Sequence, residues 1–203
     1  MRVVLATRNP GKITELQRIL AAYGIDLVGL PDDAPEVAET GATFADNALL
    51  KARAAADRTG CPAVADDSGL CVDALNGMPG IFSARWAGRH GDDAANLRLL
   101  LGQLEDVPDA RRGAAFVCAA ALVTPEGREQ VVEGRVDGVL IHEPRGSGGF
   151  GYDPIFVPVG ERRTTAEMSA AEKDAISHRG KAFRALAPHV AAVARAAMEH
   201  RGS

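Results

Sequence analysis

The sequence predicts an α/β protein built on a mixed β-sheet with flanking helices, arranged as two lobes around a cleft. Three observations carry that expectation. Short apolar runs that read as buried strands alternate with segments of helical periodicity in the N-terminal half. Two long β-prone runs, 114–124 and 129–142, are separated only by Pro125-Glu126-Gly127, which reads as an antiparallel hairpin. The C-terminal third turns helical after a glycine-rich loop. Parallel-type and hairpin-type strands in one chain call for a mixed sheet, with helices covering its apolar faces. No compositional break divides the 203 residues, so the chain reads as a single domain, 1–203, with 188–203 as a helical tail.

The elements follow in order. Val3 to Ala6 is a buried strand. Ile13, Leu16, Ile19, Leu20 and Tyr23 then recur at helical spacing, with Asn9 placed to cap the helix, Pro10 at its first position and Gly24 at its end. Ile25 to Leu30 is a second strand. Thr43 caps an Ala-rich helix that ends near Gly60, and the next strand runs into Asp66-Asp67-Ser68-Gly69, with both acids expected at its C-terminal end. Asn76-Gly77-Met78-Pro79-Gly80 is a loop, and Asp92 or Asp93 opens a helix carrying Leu97, Leu100, Leu101 and Leu104. Beyond the hairpin lie a short strand around Ile155-Phe156-Val157 and a helix started by a Ser169/Glu172 capping box.

Composition narrows the function classes. Aromatics make up 4% of residues against 46% for the whole apolar set, so the core is built from closely packed Ala, Val, Leu and Ile. The 27 acidic and 23 basic side chains leave a net charge of −4, which speaks against a nucleic-acid partner, because such surfaces are broadly basic. A phosphate ligand would be met by a few local cations. No segment approaches the roughly 20 apolar residues of a membrane span, and the apolar start is too short for a secretion signal. The three cysteines, Cys61, Cys71 and Cys118, lack metal or redox spacing and read as buried free thiols in a reducing compartment. The expected location is the cytoplasm, with no membrane partner.

Two phosphate-binding patterns are decoys. Gly146-Ser147-Gly148-Gly149-Phe150-Gly151 matches the dinucleotide glycine spacing, but Tyr152-Asp153-Pro154-Ile155-Phe156-Val157-Pro158 cannot supply the helix that this motif needs. Gly11-Lys12 follows a strand, yet Ala6 and Ile13 stand where a P-loop requires Gly and Ser or Thr.

Four other segments place reactive groups in loops or at helix ends. Thr7, Asn9 and Lys12 sit where a strand yields to a helix N-terminus, whose free N–H groups and positive dipole end favour phosphate oxygens. Glu39-Thr40-Gly41 brings a carboxylate to a loop before the helix that carries Lys51. Asp66 and Asp67 are adjacent acids that would repel without a shared cation, and Glu39 with Asp67 makes a sensible magnesium site, since that hard ion takes one or two carboxylates plus phosphate oxygens and water. In the fourth segment, the glycines of 148–151 allow close approach to a flat ligand, Phe150 or Tyr152 could stack on it, and Lys173, His178 and Arg179 follow near helix starts.

Taken together, Thr7-x-Asn9-x-x-Lys12, Glu39-Thr40-Gly41, Ala65-Asp66-Asp67-Ser68-Gly69-Leu70, Gly77-x-Pro79-Gly80, Gly148-Gly149-Phe150-Gly151-Tyr152-Asp153-Pro154 and Ser177-His178-Arg179-Gly180 resemble the inosine triphosphate pyrophosphatase family, also called XTP/dITP diphosphatases. The resemblance implies an elongated mixed α/β fold with a nucleotide cleft, a homodimer, and magnesium-dependent hydrolysis of dITP, ITP and XTP to monophosphate and pyrophosphate. It implies that Thr7, Arg8, Asn9, Pro10, Gly11 and Lys12 hold the triphosphate with Lys51 and Lys173, that Glu39 and Asp67 bind the metal, and that Asp67 accepts the proton of the attacking water. Asp66 is the alternative base. Ser68 would touch the substrate, and Phe150, Gly151, Tyr152 and Asp153 with His178 and Arg179 would form the base pocket. Two rivals are a pyrophosphatase for modified pyrimidine triphosphates and a nucleotide-binding regulator without catalysis.

Overall fold

A computed structural model of the chain describes residues 2–7, 10–21, 25, 27–30 and 33–199. Six strands form one sheet: β1 (Val3–Leu5), β2 (Leu27–Gly29), β3 (Ala63–Val72), β4 (Gly113–Val123), β5 (Glu129–Leu140) and β6 (Phe156–Pro158), in spatial order β2-β1-β3-β4-β5-β6. Strand β1 pairs in parallel with β2 and β3, whereas β6 runs antiparallel to β5, so the sheet is mixed as predicted. Strands β4 and β5 are the expected hairpin, closed by the Thr124 amide donating to the Arg128 carbonyl at 2.9 Å. The described α-helices are α1 (Pro10–Ala21), α2 (Phe44–Thr59), α3 (Asp93–Gln103), α4 (Ala170–Ile176) and α5 (His178–Glu199), the last running on through Pro188.

The chain divides into two compact units, residues 1–67, 118–134 and 179–203 in the first and 68–117 and 135–178 in the second. Strand alternation organises the first unit, because successive side chains leave a strand on opposite faces. Val3, Leu5, Val64, Cys118, Ala120 and Leu122 pack with Leu16 of α1 and with Ala182, Phe183, Leu186 and Val190 of α5. Their neighbours Val4, Ala63, Ala65, Ala119 and Ala121 pack instead with Ala48, Ala52, Ala55 and Ala56 of α2. That alanine stripe, at helical spacing, lets α2 settle close to the sheet. In the second unit Leu70, Val72, Phe116, Val136, Leu140 and Phe156 enclose Leu100 and Leu104 of the α3 region.

Local signals in the sequence were read well by propensity. Thr43 caps α2 in a box with Asp46, and Gly60 closes the helix in the left-handed conformation at φ 61°. Asp92 caps α3, and Ser169 caps α4 in a box with Glu172, whose carboxyl is drawn down to about 2, first by the Ser169 amide. Gly24 and Tyr23 lie outside the described residues. Two expectations need correction. Cys61 and Cys71 are only half-buried, and Cys118 alone is buried, although all three are free.

The second correction concerns the paired acids. Asp66 and Asp67 lie in the middle of β3, which continues to Val72. Gly69 reads as a turn residue in sequence, but here it is extended strand whose missing Cβ makes room for the Gly80 carbonyl and the Ser83 side chain. The Ser83 hydroxyl accepts from the Leu70 amide at 2.9 Å and donates to the Gly80 carbonyl at 2.7 Å. Gly69→Ala is therefore expected to lose about 1–3 kcal/mol through overpacking against backbone. Urea denaturation of the variant measures this, and an unchanged midpoint would show that the loop after β3 yields.

Candidate functional site

In the first unit α1 starts at Pro10, as predicted, and Thr7 is half-buried just after β1. Arg8 and Asn9 lie outside the described residues, and the side chains of Pro10, Gly11 and Lys12 are likewise not among those described.

Three of the expected residues of this unit converge. Lys51 Nζ donates to Glu39 Oε1 at 2.8 Å and to Asp67 Oδ1 at 3.1 Å, with all three side chains largely shielded from water. Burial by itself would lower the Lys51 pKa, but the carboxylates of Asp67, Asp66 and Glu39 outweigh it and hold the ammonium above its ordinary value. One residue that sequence reasoning passed over completes the cluster. Asn47, wholly buried one helical turn before Lys51, donates through Nδ2 to Asp67 Oδ2 at 3.0 Å and accepts from the Gly41 amide at 2.8 Å. Its signal was available: positions four apart share a helix face, and an asparagine beside an alanine stripe is a poor helix former without another task.

The adjacent acids do not share a cation in the way their sequence suggested. Strand alternation sends Asp67 to the α2 side and Asp66 to the α5 side. There Asp66, 1% exposed, accepts at Oδ2 from Arg179 Nε at 3.3 Å, and the Cys118 thiol approaches the same oxygen at 4.0 Å. Arg179 is itself 3% exposed, in the first turn of α5, so it is no solvated surface residue. A cation in that turn faces the positive end of the helix dipole, and Asp66 offsets this. Buried and ion-paired on the opposite face from Asp67, Asp66 is poorly placed to serve as an alternative base.

In the second unit, residues 146–151 form bends and turns followed by a 3₁₀ turn, Asp153–Ile155, and β6, without the helix that a dinucleotide motif requires. Asp153 organises this loop. Its carboxylate, 3% exposed, accepts from the Phe150 amide at 2.9 Å, the Thr165 hydroxyl at 2.8 Å and Lys173 Nζ at 2.5 Å. Gly149, at φ 72°, passes so close that a Cβ there would meet the same carboxylate. The Gly151 amide donates to Asp93 Oδ2 at 2.9 Å.

Of the two loop aromatics, only Phe150 keeps a partly open ring, with Lys173 Nζ 4.9 Å from its centroid. Tyr152 corrects the expectation of two stacking candidates. Its ring belongs to the core cluster, its hydroxyl donates to the Ser83 carbonyl at 2.9 Å, and burial, then Asp93, raises its pKa. The His178 ring lies parallel to Phe116 at 4.9 Å and 12°. Phe116, Asp153, Phe156, Lys173, Ser177 and His178 line a small solvent-open recess. Phe116 and Thr165 carried no sequence signal, being ordinary strand and loop residues until the fold brings them here. Ser68 follows Asp67 along β3 and is half-buried.

Among the described residues no group of three or more His, Cys, Asp or Glu side chains is placed to hold a metal ion, and no helix is long and apolar enough to cross a membrane. The donor set of Glu39 and Asp67 nevertheless fits magnesium. Two carboxylates that reach one ammonium are close enough to share one hard cation, whose remaining positions go to phosphate oxygens and water.

The model of the Ham1 family matches residues 3–189. The dITP/XTP pyrophosphatase of Streptomyces coelicolor is 67% identical over 193 residues, covering 93% of this chain and 96% of that protein. That of Frankia alni is 68% identical over 194 residues, covering 92% and 96%. Among solved structures, a HAM1 protein from Coxiella burnetii aligns with TM-score 0.86 at 42% identity over 94% of this chain and 98% of that one. The nucleoside-triphosphatase (dITP/XTP pyrophosphatase) of Mycobacterium abscessus aligns with TM-score 0.75 at 61% identity, over 92% and 98%.

Proposed function

Because the chain belongs to the Ham1 family, we propose that it hydrolyses the non-standard purine nucleoside triphosphates dITP, ITP and XTP to monophosphate and pyrophosphate, clearing them from the nucleotide pool. The observation that carries the chemistry is the convergence of Glu39 and Asp67 on the Lys51 ammonium. It marks a place where two carboxylates face one ammonium, leaving a net negative charge for a phosphate-bound cation to meet.

In this reading Glu39 and Asp67 hold magnesium, which supplies charge stabilisation on the phosphate oxygens when bound. Asp67 takes the proton of a water that attacks the α-phosphorus, and pyrophosphate leaves. Lys51 then neutralises phosphate charge, together with the start of α1 at Pro10, where helix N–H groups lack intrahelical partners and where the family resemblance assigns triphosphate binding to Thr7 to Lys12. The second unit serves the base. In it the partly open ring of Phe150, with Lys173 Nζ 4.9 Å from its centroid, offers a face for stacking. Asp153 acts there through Lys173 and the Phe150 amide, since its carboxylate already accepts from three donors.

Hypoxanthine and xanthine carry a carbonyl at the 6-position, whereas adenine carries an amino donor. Donors aimed at that oxygen go unpaired against adenine, and such mismatches discriminate strongly. The family resemblance supports a homodimer, and the net charge of −4 supports action on free cytoplasmic nucleotides rather than on nucleic acid or a membrane.

The test is pyrophosphate release from ITP, dITP, XTP, dATP, dGTP and dUTP, each with magnesium and with excess chelator. Inosine and xanthine substrates are expected to be cut fastest, and chelator to abolish release. Faster cleavage of dUTP would favour the pyrimidine reading, cleavage in chelator would remove the metal, and no cleavage of any substrate would leave a binding protein.

A further inference from the structure

Asn47 is wholly buried, and both ends of its amide are engaged by parts of the chain that the proposed metal site needs. Its Nδ2 donates to Asp67 Oδ2 at 3.0 Å, and its Oδ1 accepts from the Gly41 amide at 2.8 Å. Gly41 follows Glu39 by two residues, and a Cβ at Gly41 would meet Asp46, the Asn47 amide oxygen and the Asn47 backbone, so the Glu39 loop lies tight against the start of α2. The capping box of Thr43 and Asp46 fixes that start in turn.

We propose that Asn47 is a positioning residue that sets the magnesium affinity of the site, by holding the Asp67 carboxylate and the Glu39 loop in one fixed arrangement. The inference rests on Glu39 and Asp67 being the metal ligands. A carboxylate with one oxygen held by an amide N–H cannot rotate freely, so Asp67 Oδ2 is occupied by Asn47 and Oδ1 is left toward Lys51 and Glu39. The carbonyl end of the same amide ties down the backbone that carries Glu39. Both carboxylates therefore take their positions from one rigid helical side chain. Partners that orient metal ligands in this manner are worth about 10–100-fold in metal affinity or activity.

Asn47→Leu removes both contacts at nearly the same side-chain volume and adds no charge. Asn47→Ala removes both contacts with a better helix former. Magnesium binding is measured by calorimetry on the folded protein without nucleotide, beside the magnesium dependence of pyrophosphate release and thermal melting. Glu39→Gln serves as the reference for loss of a ligand. Both Asn47 variants are expected to bind magnesium at least about tenfold more weakly, with kcat at limiting magnesium falling in step and the KM for ITP at saturating magnesium moving less than about threefold. If Glu39→Gln weakens magnesium binding while both Asn47 variants bind it normally, whatever their melting temperatures, the positioning role is overturned and Asn47 is only a packing residue. Should Glu39→Gln itself bind magnesium normally, the two-carboxylate site fails and the role of Asn47 falls with it.

Discussion

Asp67→Asn is expected to bind ITP and to turn it over about 10³-fold more slowly or worse. The substitution preserves shape, and an amide can still pair with Asn47, but it neither accepts a proton at neutral pH nor neutralises a divalent ion. A positioned general base alone contributes about 10²–10⁴ in rate, and loss of a ligand charge adds to that. The nucleotide should remain bound, because the phosphate segment at the start of α1 and the loop around Phe150 are untouched. Equilibrium binding of ITP together with single-turnover pyrophosphate release separates the two effects. A variant that releases pyrophosphate at a near-parental rate would move the base to another residue, and the buried, ion-paired Asp66 is poorly suited to replace it.

Arg179→Met is expected to give the second large effect, on stability and on base choice together. Asp66 and Arg179 are 1% and 3% exposed, so removing the guanidinium leaves a carboxylate buried without this partner. Breaking such a pair costs about 3–5 kcal/mol, a large share of the roughly 5–15 kcal/mol that holds a domain folded. A double variant, Arg179→Met with Asp66→Leu, removes both charges and should recover much of the melting temperature, because apolar replacement of a whole buried pair is often neutral. It should not recover the preference for ITP over dATP, which is expected to fall about tenfold or more if Arg179 addresses the 6-position. Melting of Arg179→Met at the parental temperature would show that the pair contributes little. An unchanged substrate ratio would assign base choice to backbone amides.

Much of the architecture was legible in the chain because it rests on local rules. Caps at Thr43, Asp92 and Ser169, the left-handed Gly60, and the 125–127 turn each depend on residues within a few positions. The hairpin and the mixed sheet followed from them. The reactive residues were also legible as types, since a carboxylate or lysine beside a glycine loop is visible without coordinates. Their partnerships were not. The order Asp66-Asp67 looks like one doubled acid, and only the continuation of β3 through both residues sends them to opposite faces, one to Arg179 and one to Lys51 and Asn47. Tyr152 and Phe150 are two residues apart in one loop, yet the core takes the first and leaves the second partly open. By itself the sequence determined elements, caps and the chemical inventory, because propensity and periodicity act over a turn or a strand. Tertiary structure alone decided which carboxylate meets which cation and which asparagine fixes it, because those contacts join residues 20 and 113 positions apart and depend on the face each strand presents.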